Sequence, residues 1–318
     1  MLDVVRLRVL VAVARTGSVT AAARELHYSQ PSVSHHLARL EAETGAKLVQ
    51  RVGRGIRLTD AGRLLAERSA EILGRLDSAS AELAAHVGLR SGRVRLAAFP
   101  SALGTFVPAA AVRLASAHPG LDLRLIEAEP PEALRMLRDG QVDAAVVFRY
   151  GGTGPDEDGV RLTRLLDEPS LLVTPAALLD VPAPMGDGTG TLAGHAGSRW
   201  IAGCDRCRAH LLDLCAAAGF EPRVSFTTDD YVAVQAMVAA GLGVAVLPRL
   251  ALSAHRHPGV RTAGLPGSTR RVFAATYGEP PDPPATAALV AALVAAVEEA
   301  ETVGAVQGAD AVAAAGMV

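Results

Sequence analysis

Aromatic side chains are scarce, at 3% of 318 residues, with one tryptophan, four tyrosines and six phenylalanines. Apolar residues still make up 50% of the chain, so its cores must be assembled mainly from Ala, Val and Leu. Cysteine is rarer still. Three are too few for a disulfide framework, which fits a reducing compartment. No uncharged run reaches the length of a membrane span, and the apolar opening Met1–Ala14 is interrupted by Asp3, Arg6 and Arg8, which argues against a cleavable signal. These absences lead us to expect a cytoplasmic protein with no membrane partner. The net charge is small, at −2, but it conceals an asymmetry. Residues 1–58 hold nine Lys or Arg against four Asp or Glu, an excess of about five positive charges, which leaves the remainder about seven negative. A basic end suits phosphate contact, and the length allows two or three domains, each with its own core.

The stretch Ser29–Glu41, SQPSVSHHLARLE, organises the rest. Ser29 can cap a helix and Pro31 fits its first turn. Val33, Leu37 and Leu40 form one apolar stripe, leaving Gln30, Ser32, Ser34, His35, His36 and Arg39 largely on the other faces. Those side chains suit a DNA groove, although a core helix with a solvated face would read alike. Upstream, Gly17 ends one helix and Ser18 caps a short Ala-rich one, whose small Ala21, Ala22 and Ala23 permit the close approach a helix-turn-helix needs. Leu7, Leu10 and Val13 define a first amphipathic helix. Lys47–Leu58 alternates Arg51, Arg54 and Arg57 with Val49, Val52, Ile56 and Leu58, as expected of a small hairpin wing reaching phosphate or minor groove, or of a solvated turn. Thr59 then caps a long helix to about Val87, with a heptad-like seam of Leu65, Ser69, Ile72, Leu76, Ala79 and Leu83. Such a helix needs a partner, either a second copy or its own downstream domain.

From about Leu7 to Gly62 this ordered series resembles the N-terminal domain of LysR-type transcriptional regulators, with Leu10 and Val49 standing where that family often carries Phe. After residue 92, strands and helices alternate in the manner of a mostly parallel sheet. Expected strands include Val94–Phe99, Leu121–Ile126, Val142–Phe148, Leu171–Thr174, Trp200–Ala202, Val224–Phe226, Val244–Leu247 and Arg271–Tyr277; expected helices include Ser101–His118, Pro131–Asp139, Arg208–Ala218, Asp230–Ala239 and Pro284–Glu299. This half is similar to the effector-binding half of the same family, most specifically across Val232–Pro248. The fold class expected is α/β overall: an N-terminal all-α winged helix-turn-helix plus long linker helix, then a C-terminal two-lobed α/β periplasmic-binding-protein-like domain. Expected boundaries are 1–58 for the DNA-binding domain, 59–88 for the dimerising linker helix, 89–92 for a hinge and 93–300 for the effector domain. Its lobe I would be 93–160 with 268–300 and its lobe II 161–267. Val181–Gly197 should be an exposed loop and 301–318 a disordered tail.

For DNA, the candidates are Gln30, Ser32, Ser34, His35 and Arg39 for base edges or phosphates and Arg51, Arg54 and Arg57 for the backbone. The resemblance implies a small-molecule effector between the lobes, and a homodimer or homotetramer on double-stranded DNA with paired half-sites. Phe99, Ser101, Phe148, Arg149 and Thr228 are the effector candidates. Ser101 at a helix start favours an anionic effector, and Arg149 suits a carboxylate; a plain helix cap and a surface ion pair are the bland counterparts. Cys204-x-x-Cys207, with His210 and Cys215 nearby, invites thiol or metal sensing, but no second pair completes four ligands, so structural cysteines and no metal or other cofactor are expected. His255-Arg256-His257 reads as a solvated loop, and Asp229-Asp230 as cap and first turn. A solute-binding protein would fit the C-terminal half alone. An enzyme would need a nucleophile beside a base or a metal cage, and the pattern offers neither.

Overall fold

The computed structural model describes residues 2–52, 55–86, 92–151, 159–176 and 192–315; of residues 51, 52, 55, 77, 78, 80–86, 301 and 303–315 it describes the backbone only. Contacts divide the chain into two compact units, Met1–Leu89 with Arg135–Asp143, and Arg90–Leu134 with Ala144–Val318.

The first unit begins with three capped helices. Asp3 accepts from the amides of Val5 and Arg6 to start α1 (Val4–Thr16), which Gly17 ends at φ +62°, a left-handed conformation that costs glycine little. Ser18 caps α2 (Val19–Glu25) and Ser29 caps α3 (Gln30–Thr44). The α3 stripe of Val33, Leu37 and Leu40 is fully buried against Leu7, Leu10, Val13, Ala22, Ala23 and Leu48. At the far end of α3, Glu41 accepts from the amides of Leu48 and Val49 and from Lys47 Nζ, fastening the hairpin β1 (Val49–Val52) and β2 (Gly55–Leu58) to the helix. Burial opposes ionisation of Glu41, but these donors hold its carboxyl below the usual range. Thr59 accepts from the amide of Gly62 and starts α4 (Asp60–His86), about 40 Å of helix at 1.5 Å per residue. Along its expected seam, Leu65 and Ser69 pack inward, whereas Ile72 and Leu76 remain 43% and 42% exposed.

The second unit is one eight-stranded sheet with helices, one of which, Pro130–Arg138, passes into the first unit from Arg135 onward. In chain order its elements are β3 (Gly92–Ala98), α5 (Pro100–Leu103), α6 (Phe106–Ala117), β4 (Leu121–Glu127), α7 (Pro130–Arg138), β5 (Ala144–Tyr150), β6 (Val160–Pro175), β7 (Arg199–Ala202), α8 (Asp205–Ala217), β8 (Arg223–Thr227), α9 (Tyr231–Ala239), β9 (Val244–Pro248), α10 (Arg249–Ala254), β10 (Val260–Tyr277) and α11 (Pro284–Ala315). The strand order is β4-β3-β5-β10-β6-β9-β7-β8. Strands β3, β4 and β5 are parallel at one end, as are β7, β8 and β9 at the other. Two long antiparallel strands, β6 and β10, run through the middle and belong to both halves. Each half has its own apolar core: Val94, Leu96, Leu114, Leu289 and Leu293 in the first, and Leu172, Trp200, Leu211 and Val244 in the second.

Four expectations differ from this fold. The chain stays in the first half through Glu168, paired with Arg270, and β6 reaches β9 only from Ser170, so the crossing falls near residue 169 rather than 160. The helix expected over Ser101–His118 is broken at Gly104–Thr105, where Thr105 has φ −128° and ψ −94°. A Cβ on Gly104 would lie 2.6 Å from Tyr231 Oη, so the break brings backbone where no side chain fits. The closing helix continues past Glu299 to Ala315, where an irregular tail was expected; the high helix propensity of its alanines accounts for the extension. Strand β10 begins at Val260 and not near Arg271, bending across a register break between Gly264 and Thr269. Most of the expected hinge 89–92, the part of the loop before Leu192, and residues after Ala315 lie outside the described residues.

Candidate functional site

On α3, burying Val33, Leu37 and Leu40 turns Gln30, Ser34, His35 and Arg39 outward, all exposed, with Ser32 half-buried and its amide donating to the Ser29 cap. His36 stacks on Tyr28, 5.8 Å between ring centroids. Arg57 is exposed on β2, while the side chain of Arg51 and all of Arg54 lie outside the described residues. The result is a polar helix face on α3 and, in the same unit, a short antiparallel hairpin that presents Arg57, which is the arrangement of a winged helix-turn-helix.

In the second unit, a polar cluster lies where the two halves of the sheet meet. Arg270, on β10, is buried, and its Nε donates to Glu168 Oε1 at 2.7 Å. Its Nη2 donates to Ser101 Oγ at 3.0 Å, and its guanidinium lies 4.7 Å from the Phe99 ring and 4.4 Å from Phe148. Glu168 Oε2 accepts from the amide of Leu250 at 2.7 Å, so this buried carboxylate is fully engaged. From the other half, α8 brings its first turns onto β5. Arg206 Nη1 donates to the carbonyl of Phe148 at 2.7 Å, His210 stacks on Tyr150 at 3.8 Å, and His210 Nε2 hydrogen-bonds Ser268 Oγ at 2.7 Å. Cys204, at the N-cap position, donates to Cys207 Sγ at 3.2 Å, and the Tyr150 hydroxyl lies 3.9 Å from the same sulfur. The hydrogen bond from Cys204 and the positive Arg270 favour the Cys207 thiolate against the effect of its burial, and its pKa falls below the ordinary thiol value. The same hydrogen bond, with burial, pushes Cys204 up. Burial also raises Glu129, whose Oε2 has no hydrogen-bond partner among the described residues.

The effector candidates divide accordingly. Phe99, Ser101 and Phe148 join this cluster. Ser101 does not start its helix: Phe99 holds the cap position, α5 has only four residues, and the Ser101 hydroxyl is committed to Arg270, so it is not an open anion site. Arg149 faces the other side of β5, its guanidinium 4.9 Å from the Phe273 ring, because successive strand residues alternate faces. Arg270, opposite Tyr150 in the register, takes the cationic place expected of Arg149. Thr228 closes β8, its amide bonded to the Ala202 carbonyl and its hydroxyl accepting from the amide of Asp230, and the neighbouring Asp229 acts electrostatically on Glu129. Sequence reasoning missed Arg270, Glu168, Glu129 and Tyr150. Only the pairing of β6 with β10 brings the first two together, whereas the Phe-Arg-Tyr alternation was a local signal that could have put Tyr150 on the face of Phe148.

Residues 4–63 match the profile of the bacterial regulatory helix-turn-helix proteins of the lysR family, and residues 88–298 that of the LysR substrate binding domain. This chain belongs to the LysR family of transcriptional regulators. Among relatives, it is 30% identical over 277 residues to the probable HTH-type transcriptional regulator LrrA of Synechococcus elongatus, covering 86% of this chain and 90% of that one. It is 31% identical to the HTH-type transcriptional regulator TfdS of Cupriavidus pinatubonensis, over 84% and 89% of the two chains. The crystal structure of CbnR, a LysR family transcriptional regulator, shares the fold at a TM-score of 0.62 and 22% identity, over 93% of this chain and 99% of that chain. The LysR assignment accounts for both units and sets aside the solute-binding and enzyme alternatives. Among the described residues, no helix is long and apolar enough to cross a membrane, and no three His, Cys, Asp or Glu gather to hold a metal ion.

Proposed function

We propose that this LysR regulator reads paired DNA half-sites as a cytoplasmic homodimer or homotetramer and that a small molecule bound between the two lobes changes that reading. Residues 1–58 would be the DNA-binding domain, 59–88 the dimerising helix, 89–92 a hinge and 93–300 the effector domain, with lobes exchanging near residues 169 and 264–269. Gln30, Ser32, Ser34, His35 and Arg39 would reach base edges and phosphates, and Arg51, Arg54 and Arg57 the backbone. The observation that carries this reading is α3 itself, with three apolar residues buried and four polar ones presented together. Exposed Ile72 and Leu76 on α4 favour a helix-to-helix dimer, which would double the number of base contacts. Phe99, Ser101, Phe148 and Thr228 would border the effector, whose binding would have to reorganise the Arg206 and His210 contacts across the junction. Ligand control would then be a population shift between two settings of the lobes.

Footprinting on the DNA upstream of the protein's own gene and its divergent neighbour tests the reading. Two protected half-sites, with affinity falling steeply in salt and lost on Gln30→Ala, are expected. Binding that stays weak and indifferent to sequence there and in a genome-wide selection overturns it.

A further inference from the structure

We propose that the turn closing α7 is a seat for the long helix α4, and that α7 acts as a strut carrying movement at the lobe junction to that helix. The segment Arg135–Asp143 groups with the first compact unit, although α7 begins in the second. Its closing turn lies against the middle of α4. A Cβ on Gly74 would fall 2.8 Å from the Cα of Gly140 and 2.9 Å from its nitrogen, an approach that only glycine allows. Gly140 has φ +65°, so neither position takes an ordinary side chain without strain. Glycine weakens a helix interior, and a 27-residue helix standing free would gain nothing from one. Both interior glycines of α4 meet backbone instead: Gly62 meets the carbonyl of Leu48, and Gly74 meets Gly140. Around the second contact Ala70, Leu73 and Gly74 are buried, while Ile72 and Leu76 stay exposed. One face of α4 is thus taken by its own chain, and the other is left for the partner helix of a dimer. Charge marks the same approach. Burial raises the Asp139 carboxyl, Arg135 and Arg138 of α7 oppose the rise, and Glu71 and Glu67 of α4 add to it.

The opposite end of α7 lies at the lobe junction. The Glu129 carbonyl accepts from the amide of Ala133 at 2.9 Å to open the helix, and its carboxyl is acted on by Asp229 of the second lobe and by Arg270 of the shared strand β10. Between the two ends Ala133, Leu134 and Leu137 are buried, and nine helical residues run about 13 Å without a break. A helix bedded this closely shifts as a body, because a packed core does not deform continuously. Displacement of Glu129 when the lobes reset therefore reaches Gly140, and through it the helix that follows the DNA-binding hairpin. The regulatory meaning of the strut rests on the proposed function; the seat does not.

Hydrogen exchange on the full-length protein, free of DNA and followed by mass spectrometry, tests both parts. Gly74→Ala drives a Cβ into Gly140 and should speed exchange about tenfold at the amides of Gly140, Gln141 and Val142, which the turn holds on the carbonyls of Leu137 and Met136. With no seat, the same change would only strengthen α4, since alanine favours helix, and residues 136–143 would exchange as before; that result overturns the proposal. Ile72→Ala, on the open face of α4, should leave residues 136–143 unaltered, and the seat is refuted if it speeds them as much as Gly74→Ala does. For the strut, Glu129→Gln removes the charge facing Asp229 and should change exchange of residues 70–76 by about threefold or more, a change that should vanish in the Gly74→Ala background. No change at all, or one that persists in that background, rules the strut out. Footprinting of the same variants reports separately on DNA reading, so protected half-sites alongside unaltered exchange remove this inference alone.

Discussion

Polar side chains serve opposite ends in the two units. On α3, Gln30, Ser34, His35 and Arg39 are exposed, bear little of the fold and are held in place by apolar residues beneath them. At the lobe junction, Arg270, Glu168 and Ser101 are buried, and the fold depends on their satisfying one another. A solvated polar face is free to meet DNA of many sequences at little cost to stability. A buried polar cluster is expensive to disturb, so anything that does disturb it changes the arrangement of whole lobes.

That contrast can be broken most sharply at Glu168. Glu168→Ala leaves a buried guanidinium and the Leu250 amide without their acceptor and should cost about 3–5 kcal/mol, read by denaturant unfolding through Trp200, the chain's one tryptophan. Replacing both partners, with Glu168→Leu and Arg270→Met, should restore much of the loss. If the double variant is no better than the single, the ion pair is not what the junction depends on. In the first unit, Leu40→Ala should cost about 2–5 kcal/mol, followed by circular dichroism, because Leu40 is fully buried. Gln30→Ala, ten residues away, should leave unfolding within about 0.5 kcal/mol and weaken specific DNA binding by about 1–3 kcal/mol. A Gln30 variant as unstable as the Leu40 variant would erase the distinction. Ser29→Ala removes the cap bond to the Ser32 amide and should cost about 1 kcal/mol, with DNA affinity lowered in proportion to lost α3 order. Smallest in effect, Arg57→Ala should reduce the slope of log affinity against log salt by about 1 and leave sequence preference unchanged.

Legibility followed the same division. Helices α1 to α3, the Ser18 and Ser29 caps and the Gly17 stop are local features, set by neighbours within one or two turns, and could be placed from spacing alone, whereas the Asp3 cap of α1 was missed. Strand β6 was legible only at Leu171–Thr174, because the alternation of its first half is masked by Arg161, Arg164, Asp167 and Glu168. All four charges are answered, two by long-range partners, Arg161 by Asp282 and Glu168 by Arg270, while Arg164 and Asp167 pair locally with each other. The junction was therefore read in fragments. Phe99, Ser101 and Phe148 were recognisable at element ends, but Arg149 was named and Arg270 missed, because nothing local marks an arginine whose role is decided by strand pairing. The Cys204-x-x-Cys207 spacing was visible, while its company of Tyr150, Arg270 and Glu129 comes from segments distant in the chain.

Strands β6 and β10 are shared by both lobes, and this has a mechanical consequence. Lobes joined by loose loops swing apart like a door, whereas lobes threaded on one antiparallel ribbon can turn only by winding it. Torsion in such a ribbon concentrates where its ladder is interrupted, and the longer interruption here spans Gly264 to Thr269. Ser268 lies within it, and His210 fastens α8 to that spot. A rotation of α8 would thus be delivered to the shaft at its interrupted stretch.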